Sequence, residues 1–265
     1  IEPTDAALDS KHDTIKKYFD LTSAYEILSR IGRPDIITFT NVFAHIENLP
    51  LLIDNLKILA DEKTKIVIEN HYLGAVFNKS QFDTFYHEHP RTYSYRSFEF
   101  IAESLGMNVL DAEFVSRYGG NIRVYIGVGD KKVPDIDESQ FPAAFDKMNK
   151  EIVKWKSETK IMIDNLVRKN GPIRAKAFPG RAAILIKLLG LTGDQISAVY
   201  EIKGSIKVGH YVPGTKIPIL PEALLYTKED LNKPILNLAW HLPSEVRSNL
   251  VKNGYTGDVI DIKSI

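Results

Sequence analysis

The sequence predicts an α/β protein with two hydrophobic cores. Short β-branched runs alternate with segments of helical spacing between residues 34 and 129, and the alternation begins again after residue 171. The chain has 265 residues, whereas one domain usually has about 100 to 200. Hydrophobic residues make up 44% and charged residues 26% of the composition, which is typical of a soluble globular protein. We therefore expect two folded domains.

The first core is predicted from a strand–helix–strand pattern. Residues 34–46 and 63–73 each contain a short β-branched run bounded by polar residues, which indicates buried parallel strands. Between them, leucine and isoleucine recur at near-helical spacing in residues 47–62. This arrangement predicts a largely parallel sheet.

Further elements are predicted on both sides of this unit. Residues 5–19 have a helical pattern, residues 96–115 are predicted as a helix, a glycine stop and a strand, and residues 121–129 as another strand.

The second half begins with a long connecting helix. Between residues 131 and 170 the charge density rises, and large apolar residues recur at helical intervals. A turn signal, Asn170-Gly171-Pro172, follows. A second α/β pattern then predicts these elements: a helix at 182–190, strands at 196–202 and 235–240, and a helix at 243–254.

Charge and cysteine content exclude several functions. The 34 basic residues balance 34 acidic ones, so no overall field attracts nucleic acid or an anionic membrane. With no cysteine, the chain has no disulfide, thiolate metal site or cysteine nucleophile. No apolar run approaches 18 residues and no signal-peptide pattern opens the chain, so we expect a cytoplasmic protein.

A glycine-rich turn is missing from the first half. An α/β domain that binds a nucleotide or S-adenosylmethionine normally has such a turn after its first strand. Between Ile1 and Gly74 the sequence has only Gly32. We therefore expect the chain to begin inside a domain, at its second strand.

The stretch FYHEHP, residues 85–90, contains four chemically capable side chains in a row, Tyr86, His87, Glu88 and His89. Histidine titrates near neutral pH and can remove a proton, and a neighbouring tyrosine hydroxyl can donate to a developing negative oxygen. As a strand the stretch would separate the histidines from Tyr86 and Glu88, whereas as an irregular loop it could bring all four together.

Two alternatives compete with acid/base chemistry here. Solvated histidines on a polar loop are one. The other is a zinc or iron site, but no third histidine or acidic ligand follows at a recognised spacing, so we predict no metal.

Five stretches of the sequence resemble a known family. They are TNVFAHIENLPLLIDNLKILADEKTKIVIENHYL, FDTFYHEHPRTYS, YGGNIRVYI, KVGHYVPGTKIPI and NLAWHLPSEV. Together they resemble the sugar C-methyltransferases, which use S-adenosylmethionine to methylate C3 of a nucleotide-linked 4-keto deoxysugar. The similarity extends over nearly the whole chain, and the FDTxYHEH string is specific.

The resemblance implies a zinc domain, a central S-adenosylmethionine domain and a C-terminal Rossmann-like domain that helps to enclose the nucleotide sugar. Residues 1–130 then form the C-terminal part of an incomplete Rossmann-like methyltransferase domain. Residues 131–170 form the connecting helix, and residues 171–265 form a second, smaller Rossmann-like α/β domain. The zinc domain and the glycine turn would lie outside an N-terminally truncated chain, which we expect to be inactive without its N-terminal region.

Catalytic roles are also implied by the resemblance. His89 resembles the general base of the family, and Tyr86, Glu88 and His45 line the same site. No covalent enzyme intermediate is needed, because a proton next to a ketone can be removed if the enolate oxygen is stabilised.

The binding residues follow from the same resemblance. Glu2 falls where the cofactor ribose is held, and Asn41 with Val42 falls at a loop that flanks the cofactor. The residues expected to contact the substrate are His87, Gly119, Gly120, Asn121, Arg181, Lys207 and Tyr211.

The sequence also departs from the family pattern. Tyr118 replaces a usual histidine, His241 stands where asparagine is common, and the stretch AKAFPGRAA lacks some of the usual glycines. These differences bear on the sugar and nucleotide more than on the reaction. Trp240 is expected in the core, and Arg123 is expected either to pair internally or to meet a phosphate.

Two other functions remain open at this point. The chain could be a non-catalytic nucleotide-sugar-binding module, or a keto-sugar epimerase that uses the same histidines as acid and base.

Overall fold

The computed structural model describes residues 1–5, 8–9, 11–133, 135–227 and 231–263. These residues divide into two compact units. The first contains Ile1–Val76 and His87–Phe141, and the second contains Phe77–Tyr86 and Pro142–Ile265. The ten residues 77–86 therefore belong to the second unit although they lie in the first half of the sequence. The domain limits that the resemblance implies stay a prediction.

The first unit has a four-stranded sheet with helices. Its strands have the spatial order β1-β2-β4-β3. In chain order its elements are α1 (Leu21–Ile31), β1 (Ile36–Thr40), α2 (Leu49–Leu59), β2 (Lys65–His71), α3 (Leu73–Asn78), α4 (Tyr95–Ser104), β3 (Asn108–Val115) and β4 (Asn121–Gly127). Helix α3 ends in the second unit.

The predicted parallel pairing of this sheet is only partly right. Strands β1 and β2 are parallel, as expected for a strand–helix–strand unit, but β2 pairs antiparallel with β4, and β4 antiparallel with β3. The reason is the connection between β3 and β4. Only the short turn around Gly119 and Gly120 joins them, and a parallel pair needs a crossover of a dozen or more residues.

The helix predicted over residues 5–19 is wrong where the structure describes it. Residues 11–20 contain only bends and irregular backbone, and Ala6, Ala7 and Ser10 lie outside the described residues. The first long helix begins after Asp20, which forms a capping box with Ser23 and so satisfies the free amide groups at the helix start. Ile15 is buried and Phe19 packs against the core, but the apolar side chains of Leu8 and Tyr18 are exposed. These residues therefore do not bury one continuous helical face.

The core of the first unit fills the space between this sheet and its helices. Alternate residues of β2 and β4, such as Ile66, Ile68 and Val124, are fully buried. Tyr93 stacks on Phe98 of α4 with ring centroids 5.2 Å apart. The buried residues thus come from both sides of the FYHEHP stretch.

The second unit has a five-stranded sheet in which every pair is parallel. Its strands have the order β7-β6-β5-β8-β9, which is the 3-2-1-4-5 order of a doubly wound Rossmann-type sheet. In chain order its elements are α5 (Phe141–Asn170), β5 (Ile173–Lys176), α6 (Ala182–Leu189), β6 (Ile196–Glu201), β7 (Ile219–Pro221), β8 (Ile235–Asn237), α7 (Pro243–Lys252) and β9 (Val259–Asp261). The helices predicted for residues 182–190 and 243–254 and the two predicted strands of this half are confirmed apart from their ends, and so is the α/β class of the chain. The connecting helix predicted over residues 131–170 begins only at Phe141.

Within the described parts of the chain, no helix has the length and apolar character needed to span a membrane.

Glu138 connects the end of the first unit to the start of α4. Its carboxylate accepts hydrogen bonds from the backbone N–H groups of Tyr95 (2.7 Å) and Arg96 (3.2 Å). It also accepts one from the Tyr72 hydroxyl (3.0 Å), and burial together with this carboxylate raises the pKa of Tyr72. A carboxylate at a helix N-terminus satisfies free amides and opposes the helix dipole.

Replacing Glu138 with alanine should therefore destabilise the protein. Two backbone amides and one half-buried hydroxyl lose their acceptor, so we expect the free energy of unfolding in urea to fall by about 1 to 3 kcal/mol. The control is Asp135→Ala, which removes a fully exposed carboxylate from the same segment and should leave the midpoint unchanged. Equal effects of the two substitutions would contradict the capping role of Glu138.

Candidate active site

Two loops of the first unit fit together next to the carboxyl end of β1. Arg91 donates from one terminal guanidinium nitrogen to the carbonyls of Ile46 (2.6 Å) and Glu47 (2.8 Å). The Tyr93 hydroxyl donates to the Phe43 carbonyl (3.2 Å), and the two rings meet edge to face. The loop that follows FYHEHP is therefore fixed against the loop that follows β1.

This fit brings His45 and His89 together. His45 ends a short 3₁₀ turn, Phe43–His45, and its ring centroid lies 4.8 Å from that of His89 at an interplanar angle of 73°. His45 is exposed and His89 is half-buried. Two imidazoles that are 44 residues apart in the sequence thus lie side by side and accessible to solvent. One ring can accept a proton from a substrate while the other forms a hydrogen bond to it.

The neighbouring residues of the FYHEHP stretch are exposed or half-buried. His87 and Glu88 are both exposed, with the His87 Nε2 3.9 Å from a Glu88 carboxylate oxygen. Tyr86 is half-buried and belongs to the second unit, where its backbone N–H donates to the Thr84 carbonyl (3.2 Å).

A buried polar network lies where β1 and β2 end. Asn41 has a left-handed backbone (φ 54°), and its N–H donates to the Glu69 carbonyl at 2.8 Å. The Asn121 amide donates to the Asn41 side-chain oxygen (3.0 Å) and to the Glu69 carboxylate (3.1 Å). Asn41 and Asn121, for which the sequence predicts different ligands, are therefore directly hydrogen-bonded.

Glu69 is the charged centre of this network. It is buried, and one of its oxygens accepts from the Nε (3.1 Å) and a terminal nitrogen (2.7 Å) of Arg123. Burial by itself would raise the pKa of Glu69, but hydrogen bonds from Arg123 and Asn121 and the charge of Arg123 lower it below its ordinary value. Of the two alternatives for Arg123, the structure shows the internal pair.

Asn121 leaves one hydrogen-bonding group unused. Its side-chain oxygen is buried and has no hydrogen-bond partner among the described residues. Buried acceptors are rarely left unpaired, so this oxygen can accept a hydrogen bond from a ligand hydroxyl or amine.

The two glycines before Asn121 adopt backbone conformations that favour glycine. Gly119 has φ 90° and Gly120 has φ 131°. A Cβ at Gly120 would lie 2.5 Å from the Cβ of Ala75, and the Gly120 carbonyl accepts from the Tyr72 N–H (3.2 Å). The turn is therefore fixed by close backbone approach, which does not by itself assign it a ligand.

The two other residues predicted for the cofactor have separate surroundings. The Glu2 carboxylate is half-buried and accepts from the N–H (2.8 Å) and the hydroxyl (2.6 Å) of Thr4, which lower its pKa. Val42 is 43% exposed and precedes the turn that carries His45.

The predicted substrate residues of the second unit differ in exposure. Tyr211 is 62% exposed, whereas the Lys207 ammonium donates to the Phe178 carbonyl at 2.6 Å. Arg181 is almost fully buried, and it donates from Nε and from a terminal nitrogen to the two oxygens of Asp83, both at 2.7 Å.

Trp240 and His241 lie next to this ion pair. Trp240 is buried, as predicted, and its indole N–H donates to Asp83 at 2.8 Å. Burial, followed by the charge of Arg181, lowers the pKa of His241 to about 4. His241 is therefore neutral near pH 7.

No group of three or more histidine, cysteine or acidic side chains placed to hold a metal ion occurs in the part of the chain that the structure describes.

Comparison with known proteins identifies the family. A family model described as the C-methyltransferase C-terminal domain matches residues 118–257, a little over half of the chain. The chain belongs to the C-methyltransferase family, which confirms the predicted resemblance at this level.

A curated relative extends the likeness to the first unit. The chain is 26% identical over 256 residues to the C-methyltransferase NovU of Streptomyces niveus, an alignment that covers 92% of this chain and 60% of NovU. The chain thus spans less than two thirds of the length of this relative.

Sequence reasoning did not assign roles to Glu69, Asp83 and Arg91. Each carried a signal: Glu69 is a charged residue at the end of an apolar strand run, Asp83 lies inside the FDTxYHEH string, and Arg91 follows Pro90. Their partners lie between 44 and 157 residues away in the sequence, so spacing alone could not pair them.

Arg91→Ala should separate the two imidazoles. The carbonyls of residues 46 and 47 lose their shared donor, so the loop that carries His89 is no longer fixed against His45. We expect the nuclear Overhauser effect between the two histidine rings to disappear. Replacing the exposed Arg96 in the same way should leave it intact, and its persistence in Arg91→Ala would contradict the anchoring role.

His241 should make stability depend on pH. Its folded pKa of about 4 lies below the ordinary 6.5, so the stability it contributes is present above about pH 6.5 and is lost as the pH falls toward 4. In this window we expect the wild type to lose up to about 3 kcal/mol more than His241→Asn in urea unfolding. His210→Asn, which changes an exposed histidine of the same unit, should retain the wild-type loss.

Proposed function

We propose that the protein containing this chain transfers a methyl group from S-adenosylmethionine to C3 of a nucleotide-linked 4-keto deoxysugar. Membership of the C-methyltransferase family supports a methyl transfer to carbon. The single observation that carries the chemistry is the contact between the His45 and His89 rings. A nucleotide-linked keto sugar and a place in deoxysugar biosynthesis rest on the sequence resemblance.

His89 is the general base of this proposal. A C–H bond next to a ketone is acidic enough for a positioned imidazole when the resulting enolate oxygen is stabilised. His89 would take the C3 proton onto an imidazole nitrogen. The electron pair left on C3 would then attack the methyl group that S-adenosylmethionine supplies, and the electron pair of the broken methyl–sulfur bond would stay on sulfur, which leaves as a neutral thioether. The half-exposed position of His89 lets the proton leave to solvent afterwards.

Hydrogen-bond donors must face the enolate oxygen. Tyr86 contributes a phenol hydroxyl, and His45 contributes a ring N–H beside His89. The Glu88 carboxylate lies 3.9 Å from the Nε2 of His87. Tyr86 and His45 are thus proposed as oxyanion donors, with Glu88 lining the same site.

The cofactor-binding residues fit the donor and acceptor groups of S-adenosylmethionine. The Glu2 carboxylate retains lone pairs for ribose hydroxyls, and Asn41 and Val42 follow β1, at the strand end where α/β sheets bind ligands. When bound, S-adenosylmethionine supplies an electrophilic methyl group. The proposal for residues 41 and 42 is that they orient the cofactor at the end of β1.

The sugar and nucleotide use the remaining predicted residues. The Asn121 oxygen, which has no hydrogen-bond partner among the described residues, suits a sugar hydroxyl. The adjacent Gly119–Gly120 turn is proposed to contact the sugar through its backbone. His87, Lys207 and Tyr211 supply donors on exposed or half-exposed surface for polar groups of the nucleotide sugar.

Two substitutions in the complete protein test the catalytic roles. His89→Asn should slow methyl transfer by at least about 10²- to 10⁴-fold and should equally stop exchange of the C3 proton with deuterated solvent. Tyr86→Phe removes only a donor, so it should slow both reactions by about 10- to 10³-fold. Calorimetric binding of the nucleotide sugar should survive both substitutions.

His12→Asn serves as a control, because it changes an exposed histidine outside the proposed site. Wild-type proton exchange in His89→Asn would rule out His89 as the base. Proton exchange without any methyl transfer in the wild type would favour the epimerase alternative.

A further inference from the structure

Segment 77–86 of the second unit ends at Tyr86 and contains a completely buried carboxylate, Asp83. Asp83 accepts three hydrogen bonds: two from Arg181 at 2.7 Å, one to each carboxylate oxygen, and one from the Trp240 indole at 2.8 Å. Arg181 also donates to the side-chain oxygen of Gln81 (3.4 Å). Both ends of the carboxylate are thereby fixed in orientation.

The segment has further attachments within the same unit. The Phe82 ring packs on Trp155 with centroids 5.0 Å apart, and the Lys79 carbonyl accepts from the Lys263 ammonium at 3.1 Å. The Ser80 hydroxyl donates to Glu151. Apolar and polar attachments other than Asp83 therefore already hold the segment in place.

A buried ion pair adds orientation more than stability. Apolar residues of similar volume often stabilise a fold equally well, because burying two charges costs much of what their attraction returns. The planar fork of an arginine on both oxygens of a carboxylate, in contrast, fixes direction as well as distance. Because the segment is already attached without this ion pair, the ion pair indicates that the orientation of the segment itself is important.

Backbone hydrogen bonds between residues close in the sequence connect Asp83 to Tyr86. Asp83 is the middle residue of the 3₁₀ turn Phe82–Thr84, in which the Thr84 N–H and hydroxyl both donate to the Gln81 carbonyl. The Phe85 N–H donates to Phe82 (3.2 Å), and the Tyr86 N–H donates to Thr84 (3.2 Å). Each residue from 83 to 86 is thus held by Asp83 or by the turn that contains it.

We propose that Asp83, held by Arg181 and Trp240, is a positioning residue that sets the place of the Tyr86 hydroxyl. This rests on the proposed function, in which Tyr86 donates to the enolate oxygen. Arg181 then acts through Asp83, because its Nε and one terminal nitrogen are already committed to that carboxylate. A hydroxyl displaced by about 1 Å loses much of its effect, on the order of 10²-fold in rate.

The direct test observes Tyr86 itself. We place 3-fluorotyrosine at position 86 of the chain and record its ¹⁹F resonance in the wild type, Asp83→Asn and Asp261→Asn. Asp261 is the matched control, since it accepts from Arg247 (2.6 Å) and from the Asn237 amide (2.7 Å) in the same unit. The resonance should shift or broaden in Asp83→Asn and stay unchanged in Asp261→Asn.

The functional test is a double-mutant cycle in the complete protein. Asp83→Asn should slow methyl transfer by about 10²-fold with little change in KM for the nucleotide sugar. In a Tyr86→Phe background the same substitution should cost less than about 3-fold, because the hydroxyl that it misplaces is already gone. A purely structural role would give independent, multiplicative effects.

Trp240→Phe is the second variant if Asp83→Asn does not fold. It removes one donor to Asp83 and keeps an aromatic ring, so the ¹⁹F change should have the same direction and a smaller size.

The outcomes separate this inference from the proposed function. An unchanged ¹⁹F resonance in folded Asp83→Asn or Trp240→Phe overturns the inference, as do multiplicative effects in the cycle. A changed resonance combined with wild-type kinetics in Tyr86→Phe upholds the positioning of Tyr86 and instead overturns its catalytic role.

Discussion

Charged side chains that make several hydrogen bonds hold the loops on which this protein's candidate site depends. Glu69 fixes the ends of β1 and β2 through Arg123 and Asn121. Arg91 fixes the two loops that carry the histidines, and Asp83 adds an oriented contact with Arg181 to segment 77–86. Irregular loops have few repeating backbone hydrogen bonds, so their polar groups must be satisfied from elsewhere. One side chain with two or three strong contacts meets that need and sets direction as well.

The same constraint explains why the FYHEHP stretch is so polar. Its residues lie at the end of a segment that belongs to the second unit and at the start of one that belongs to the first. Tyr86 is hydrogen-bonded to the turn that contains Asp83, the proposed positioning residue, and His89 precedes the loop that Arg91 fixes. The proposed base and the proposed oxyanion donor are thus held by different networks, although only two residues separate them in the sequence.

Two residues that depart from the pattern implied by the resemblance, His241 and Tyr118, lie near the hydrogen-bond networks of Asp83 and Glu69. His241, where the resemblance implies asparagine, lies next to Trp240, and burial followed by the charge of Arg181 lowers its pKa. Tyr118, where the family commonly has histidine, is half exposed and has a left-handed backbone (φ 51°) beside the Gly119–Gly120 turn. Neither residue is among the hydrogen-bond partners that Glu69 and Asp83 have in the described part of the chain.

The sequence by itself determined the α/β class, helices α2 and α4 to α7, strands β1, β2 and β4, and the family. These follow from periodicity within a few residues or from the specific FDTxYHEH string. The sequence predicted neither helix α1 nor the exposure of β1, which was expected to be buried but has no buried residue. Only the tertiary structure decided the antiparallel pairing of β3 and β4, the absence of a helix over residues 11–19, and the partners of Glu69, Asp83 and Arg91. The physical reason is the separation along the sequence between the groups that interact. Local patterns record what each segment buries, whereas a charged side chain selects its partner by geometry after segments distant in the sequence have come together.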